Sequence, residues 1–143
     1  MSSSLKKYAL AQTAVLHLRD GNDEPMYADG ADGQPDQSRP MRVRLFGPGT
    51  KQHAAAKAAA GNRAMDRFKK KGKSDISAEE QVKETARFLV ACTDSMENIE
   101  YDDLTGDAIF EAIYSDLSLV FIPQQIDKYL GDTANFTGSS PTN

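Results

Sequence analysis

The sequence has no tryptophan and a single cysteine, Cys92. One cysteine excludes an intramolecular disulfide and a cysteine-rich zinc site. Cys92 sits in the apolar part of a helical pattern with no neighbouring base, so it reads as a small buried hydrophobe rather than a catalytic thiol. Histidine is nearly as scarce. His17 and His53 are the two present, and they form no HxxxH or HExxH spacing. A zinc hydrolase therefore has no ligand set, and neither metal nor cofactor is expected. No apolar run reaches the roughly 20 residues a membrane helix needs. No signal-peptide pattern opens the chain, so a reducing cytosol is the expected compartment. Aromatic residues make up 8% of the 143, too few for a large core. One modest core is expected over 13–136, with flexible ends at 1–12 and 137–143.

Charge of one sign is missing from one part of the chain. From Asp94 onward there are ten acids and one base, Lys128. Met1 to Thr93 carries 16 bases against 11 acids, and the whole chain stands at −4. A polypeptide polarised in this way can self-associate head to tail or steer a charged partner.

Several local patterns invite a chemical reading and fail on detail. Gly47-Pro48-Gly49-Thr50 precedes a helix, but a phosphate loop needs GxxxxGK[ST] and continuous backbone amides, and Pro48 removes one. It reads as a strand-to-helix corner. The Asp-rich stretch 20–36 lacks the EF-hand order and its distal Glu. Asp102-Asp103 has nothing beside it to separate two carboxyl pKa values. No catalytic residue is assigned, and the chain is expected not to be an enzyme. The strongest electrostatic feature is basic: Arg63, Arg67, Lys69, Lys70, Lys71 and Lys73. It is a candidate contact patch. With only Phe68 interleaved and a pI near 5.1, a solvated face or a contact to an acidic protein surface suits it better than nucleic acid.

Periodicity then gives the elements. Residues 13–19 are β-rich and end at an Asp20-Gly21 turn. In Met41-Arg42-Val43-Arg44-Leu45-Phe46, apolar and basic residues alternate as in a half-buried strand. Between them, 21–39 reads as a long mobile connection, with a short strand at Pro25-Met26-Tyr27. Thr50 is placed to cap an Ala-rich helix over 51–70, with Ala54, Ala58, Met65 and Phe68 near helical spacing on its face. Ser77 and Glu80 make a capping box for a helix to about Thr93, striped with Val82, Ala86, Leu89, Val90 and Thr93. A turn region follows at 98–106, then helices over 107–114 and 117–130, with Pro123 either near the first turns of the last or kinking it. The fold class is α+β: a small N-terminal antiparallel sheet (13–47), then a mostly helical part of four helices (50–131).

Taken in order, certain stretches resemble one family. They are Leu45-Phe46-Gly47-Pro48-Gly49-Thr50-Lys51, Asn62-Arg63, Glu84-Thr85-Ala86-Arg87-Phe88-Leu89, Tyr114-Ser115-Asp116, Gln124-Gln125-Ile126-Asp127 and Asn135-Phe136. This layout is similar to a branch of the tail assembly chaperones of long-tailed bacteriophages. The resemblance implies a protein of the host cytoplasm that holds the tape-measure protein, helps tail-tube subunits assemble on it, and leaves before the tail matures. It carries no catalytic residue. The alternatives are a tail or neck protein retained in the virion and a nucleic-acid-associated protein. A chaperone of this kind needs apolar helical surface with a charged rim. Candidate client-binding residues are Leu89, Ile109, Phe110, Ile113, Phe121, Ile122 and Ile126, each of which also suits plain core packing. Homo-oligomerisation would relieve the shortage of apolar residues.

Overall fold

A computed structural model describes residues 4–72 and 75–137. Its strands are β1 (Thr13–His17), β2 (Tyr27–Asp29), β3 (Pro35–Pro40), β4 (Arg42–Phe46) and β5 (Thr93–Glu97); its α-helices are α1 (Lys51–Lys71), α2 (Ala78–Ala91), α3 (Asp107–Ser115) and α4 (Phe121–Leu130). The α+β expectation holds. Strands of the first third lead into four helices, although one strand returns late in the chain.

Strand β4 lies at the centre of an antiparallel sheet ordered β1-β4-β5. Its alternation does what the sequence implies. Val43 and Leu45 have no exposed surface, while Arg42 and Arg44 face solvent. The register sets Ala14 opposite Leu45 and Leu16 opposite Val43, so β1 continues the same inner face. Burying each of Val43 and Leu45 is worth about 1.5–3 kcal/mol.

Two strands depart from expectation. Residues 21–39 do not form a long mobile connection: β2 and β3 pair as a hairpin. It is tied down by Met26 N–H to Leu18 O, 2.9 Å, and Met41 N–H to Met26 O, 3.0 Å. Prolines at both ends of β3 hid it, because proline reads as a strand breaker. The helix expected to reach Thr93 stops at Ala91, and Thr93–Glu97 pairs with β4 as β5. Its sequence, Thr-Asp-Ser-Met-Glu, has little β propensity of its own. The partner strand, some 50 residues away in sequence, makes it a strand.

The register of β4 and β5 shifts between Arg44 and Leu45, and this brings Thr93 opposite Leu45 on the buried side. There the Thr93 hydroxyl donates to Leu89 O and meets the Tyr114 hydroxyl, each at 2.7 Å. Burial pushes the Tyr114 phenol well above its usual range against the opposing effect of that hydrogen bond. Tyr114→Phe is expected to cost about 1 kcal/mol in urea unfolding, because Thr93 keeps its carbonyl acceptor and no buried donor is stranded. A loss near 3 kcal/mol would contradict that arrangement.

Helix α2 is the hub of the helical layer, packing on α1, α3 and α4. The core gathers Leu89, Ile113, Ile126, Leu130 and Cys92 beneath the sheet. Cys92 is fully buried, and burial, then the Asp127 charge, pushes its thiol up to about 11. Both predicted caps form: Thr50 accepts from His53 N–H and Ser77 from Glu80 N–H, each at 3.1 Å. Gly72, at φ 72°, ends α1 in the left-handed conformation that glycine adopts freely. Residues 117–119 form a separate 3-10 turn rather than the start of α4, and Pro123 falls in the first turn of α4, where its missing N–H costs nothing. No helix among the described residues is long and apolar enough to cross a membrane.

Helix α1 presents a different face from the one its apolar residues suggest. Ala54, Ala58, Met65 and Phe68 are all exposed, Met65 and Phe68 at 55% and 53%. The inward side runs through His53, Ala56, Ala60, Arg63 and Arg67, and Ala56 alone is fully buried. The helix therefore leans on alanine propensity, its two caps and polar contacts rather than on apolar burial.

Candidate functional site

Of the seven residues expected to bind a client, six are core. Leu89 and Ile126 have no exposed surface, and Ile109, Phe110, Ile113 and Ile122 keep 8, 7, 3 and 6%. They face one another around α2, which consumes the stripe that would have served a partner. Phe121 is half-buried against the same core. The periodic apolar stripe on these helices is therefore a packing stripe.

The basic run also divides. Arg63 and Arg67 turn inward to α2, whereas Lys69, Lys70 and Lys71 stand exposed in the last turn of α1. Lys73 lies outside the described residues. Three guanidinium groups converge on Glu84 of α2. Arg63 Nε donates to both carboxylate oxygens at 2.9 and 3.0 Å, Arg87 donates to Oε1 at 2.9 Å, and Arg67 pairs with Oε1 at 3.1 Å. Burial pushes this carboxyl up, but the hydrogen bond and charge of Arg63, then Arg87 and Arg67, outweigh it and hold the group below its usual range. The cluster ties α1 to α2 where apolar contact is thin.

Beside this cluster, α1, α2 and the segment joining α3 to α4 enclose an open groove of about 610 Å³. Val82 and Phe88 of α2 form one apolar wall; Leu117, Val120 and Pro123 form the other. Leu117 and Val120 are 68% and 44% exposed, large apolar side chains left uncovered at its lip. The 3-10 turn explains their position. Asp116 caps it, accepting from Ser118 N–H at 2.9 Å and from the Tyr101 hydroxyl at 2.7 Å. The Ser118 hydroxyl, which donates to the same carboxylate at 2.6 Å, then the Tyr101 hydroxyl and the Ser118 N–H, hold the Asp116 carboxyl below its usual range. The turn thus breaks the continuous helix that would have rolled Leu117 elsewhere. The rim is charged, with Arg67 contributed by α1 and Asp116 and Asp127 from the other side. Arg67 Nε is buried with no hydrogen-bond partner.

Sequence reasoning missed this groove. Its one legible sign was the density of apolar residues in Leu117-Ser118-Leu119-Val120-Phe121, more than one buried stripe can absorb. No group of three or more His, Cys, Asp or Glu side chains among the described residues is arranged to hold a metal ion. His17 Nε2 lies 2.8 Å from Met26 O, supporting the hairpin, and His53 packs edge-on against Phe88 at 5.8 Å. Both histidines are occupied in local packing.

Several of the residues that carried the family resemblance prove to hold the fold. Glu84 and Arg87 belong to the ion cluster. Gln125 exchanges hydrogen bonds with the Arg19 backbone at 2.9 and 2.8 Å. Asn135 Nδ2 donates to Tyr129 O at 2.9 Å. Phe136 is fully buried against Gly47.

The molecule is thus an α+β domain whose helical layer opens into an apolar-walled groove with a charged rim. No family model, curated protein or solved structure matches the chain.

Proposed function

We propose that this chain works by holding another protein rather than by making or breaking a bond, and that it is a tail assembly chaperone. Its client is the tape-measure protein, and tail-tube subunits assemble on the pair. The observation that carries the reading is the groove between α1, α2 and the 117–120 turn. Its apolar walls and uncovered Leu117 and Val120 suit one face of an amphipathic helix, and tape-measure proteins are long and helical. The rim suits the ends of such a segment. A client carboxylate would pair with the part of the Arg67 guanidinium that stays exposed at the rim, and a client Lys or Arg would face Asp127. The ordered motifs of the sequence point the same way.

Co-expression with the tape-measure protein of the same phage tests the reading. The tagged chain should capture it. Leu117→Asp with Val120→Asp should weaken capture about tenfold or more, since losing two central apolar contacts costs at least ~1.4 kcal/mol. Both residues are exposed, so the fold should survive, which circular dichroism would check. Failure to capture the tape measure, or stoichiometric retention of the chain in purified virions, would remove the chaperone reading.

A further inference from the structure

The polarity of the sequence becomes two separate surfaces in the fold. One is the free end of α1. Met65 and Phe68 stand exposed there, one helical turn apart, beside exposed Lys69, Lys70 and Lys71. It is a greasy knob beside three positive charges, with the exposed Asp66 next to Met65. The other is a shallow groove of about 750 Å³ between β5 and the start of α3. Met96, Ile99 and Leu104 give it apolar surface over the buried Ile109 and Phe110, with Leu104 40% exposed. Its rim is acidic throughout: Asp94, Glu100, Asp102, Asp103 and Asp107. No Lys or Arg lines it.

The two surfaces lie at opposite ends of α2. Arg63 and Arg67 meet Glu84 at the middle of α2, His53 meets Phe88 further along it, and α1 therefore continues past Arg67 toward the N-terminal end of α2, to Lys71. The other end of α2 passes directly into β5 and the acidic groove. From Glu84 to the end of α2 at Ala91 the helix rises roughly 10 Å, and the lysines of α1 lie beyond Glu84 on the far side. No residue of α1 lines the groove of its own molecule.

We propose that the acidic groove is the seat for the basic end of α1 from a second copy of this chain. Charge complementarity selects the occupant: opposed rims attract, and Met65 and Phe68 meet Met96, Ile99 and Leu104 once the lysines are paired. The contact joins two different patches, so each added copy leaves one knob and one groove free. Association of this kind is head to tail and grows into an open chain unless its rotation closes a ring. Such a series would present the client groove of each copy repeatedly along its length. The assembly does not depend on the chaperone reading, because it uses neither wall of the client groove.

Sedimentation velocity of the full chain tests it. At low salt the mean mass should rise steadily with concentration beyond a dimer. It should fall back toward the monomer at about 0.5 M salt, where charges are screened within a few ångströms. Lys69→Glu/Lys70→Glu/Lys71→Glu should abolish growth, and so should Asp94→Lys/Glu100→Lys/Asp103→Lys. All six positions are exposed, and an unchanged circular dichroism spectrum would confirm that both variants fold. Mixing the two variants should restore association, since each then offers a surface complementary to the other. Phe68→Ser should weaken growth severalfold without altering either rim. A chain that stays monomeric at low salt, a dimer that grows no further, or two variants that fail to rescue each other would overturn the proposal.

Discussion

Phe136→Ala is expected to cost about 3–5 kcal/mol of stability, the largest effect of any single substitution proposed for this chain. The residue stands near the end of the chain, in a short 3-10 turn where a tail would ordinarily fray, yet it has no exposed surface. Its ring lies on Gly47 and packs edge-on against Tyr129 at 5.6 Å. Its carbonyl accepts from Ala11 N–H at 2.7 Å, and Gly47 N–H donates to Gln12 O at 2.9 Å, so the segment before β1 is held at the same corner. Gly47 is small for this reason. A Cβ there would fall inside the ring, 2.8 Å from Cγ, and the buried ring has nowhere to move. Gly47→Ala alone should therefore cost about 1–3 kcal/mol through overpacking. In the double variant the clash disappears with the ring, so the two losses should add to less than their sum. Urea unfolding of the four proteins in the cycle measures this. Strict additivity, or a loss under about 1 kcal/mol for Phe136→Ala, would show that the corner is not closed as described.

Glu84→Ala should be the next most damaging change, at about 2–3 kcal/mol. Removing one partner of a fully buried ion pair costs roughly 3–5 kcal/mol. Here Arg63, Arg67 and Arg87 keep 30, 20 and 47% of their side-chain surface, and solvent screening reduces the figure. The variant would leave three guanidinium groups converging with no counter-charge. Because Ala56 is the one fully buried residue of α1, the loss should appear first as faster amide exchange along that helix. The pH dependence has a definite sign. Glu84 titrates below its ordinary 4.5 in the folded protein, so its contribution is complete above about 4.5 and fades as pH falls through the lower folded value. Glu84→Gln lacks that contribution at every pH. Its stability gap to the parent should be widest near pH 7 and should close in acid. A gap that persists unchanged below pH 3 would assign the stabilisation to packing rather than charge.

These two sites show how differently sequence and structure inform on one molecule. Arg63 and Arg67 are four residues apart, and Glu84 and Arg87 three, so each pair shares a helix face on sequence grounds alone. That the two faces meet depends on how α1 packs on α2, which no local pattern encodes. The same limit applies to the apolar stripe expected to face a client. Leu89, Ile109, Phe110, Ile113, Ile122 and Ile126 are apolar at helical spacing because they are core. A binding stripe and a packing stripe have the same period, and only the neighbours distinguish them. Met65 and Phe68 mark the opposite error, apolar residues that packing leaves uncovered.

What the amino-acid sequence determined by itself is what short-range physics controls. The alternation of Val43 and Leu45 with arginines made a half-buried strand, Thr50 and Ser77 capped the helices they precede, and the charge of the chain was already divided at Asp94. Tertiary structure alone decided that Thr93–Glu97 is a strand, that 21–39 folds into a hairpin, that Phe136 closes on Gly47, and that a groove opens between Phe88 and Val120. Each of these rests on contacts between residues far apart in the chain. Their energy comes from burial and pairing that exist only once the partner segment is in place.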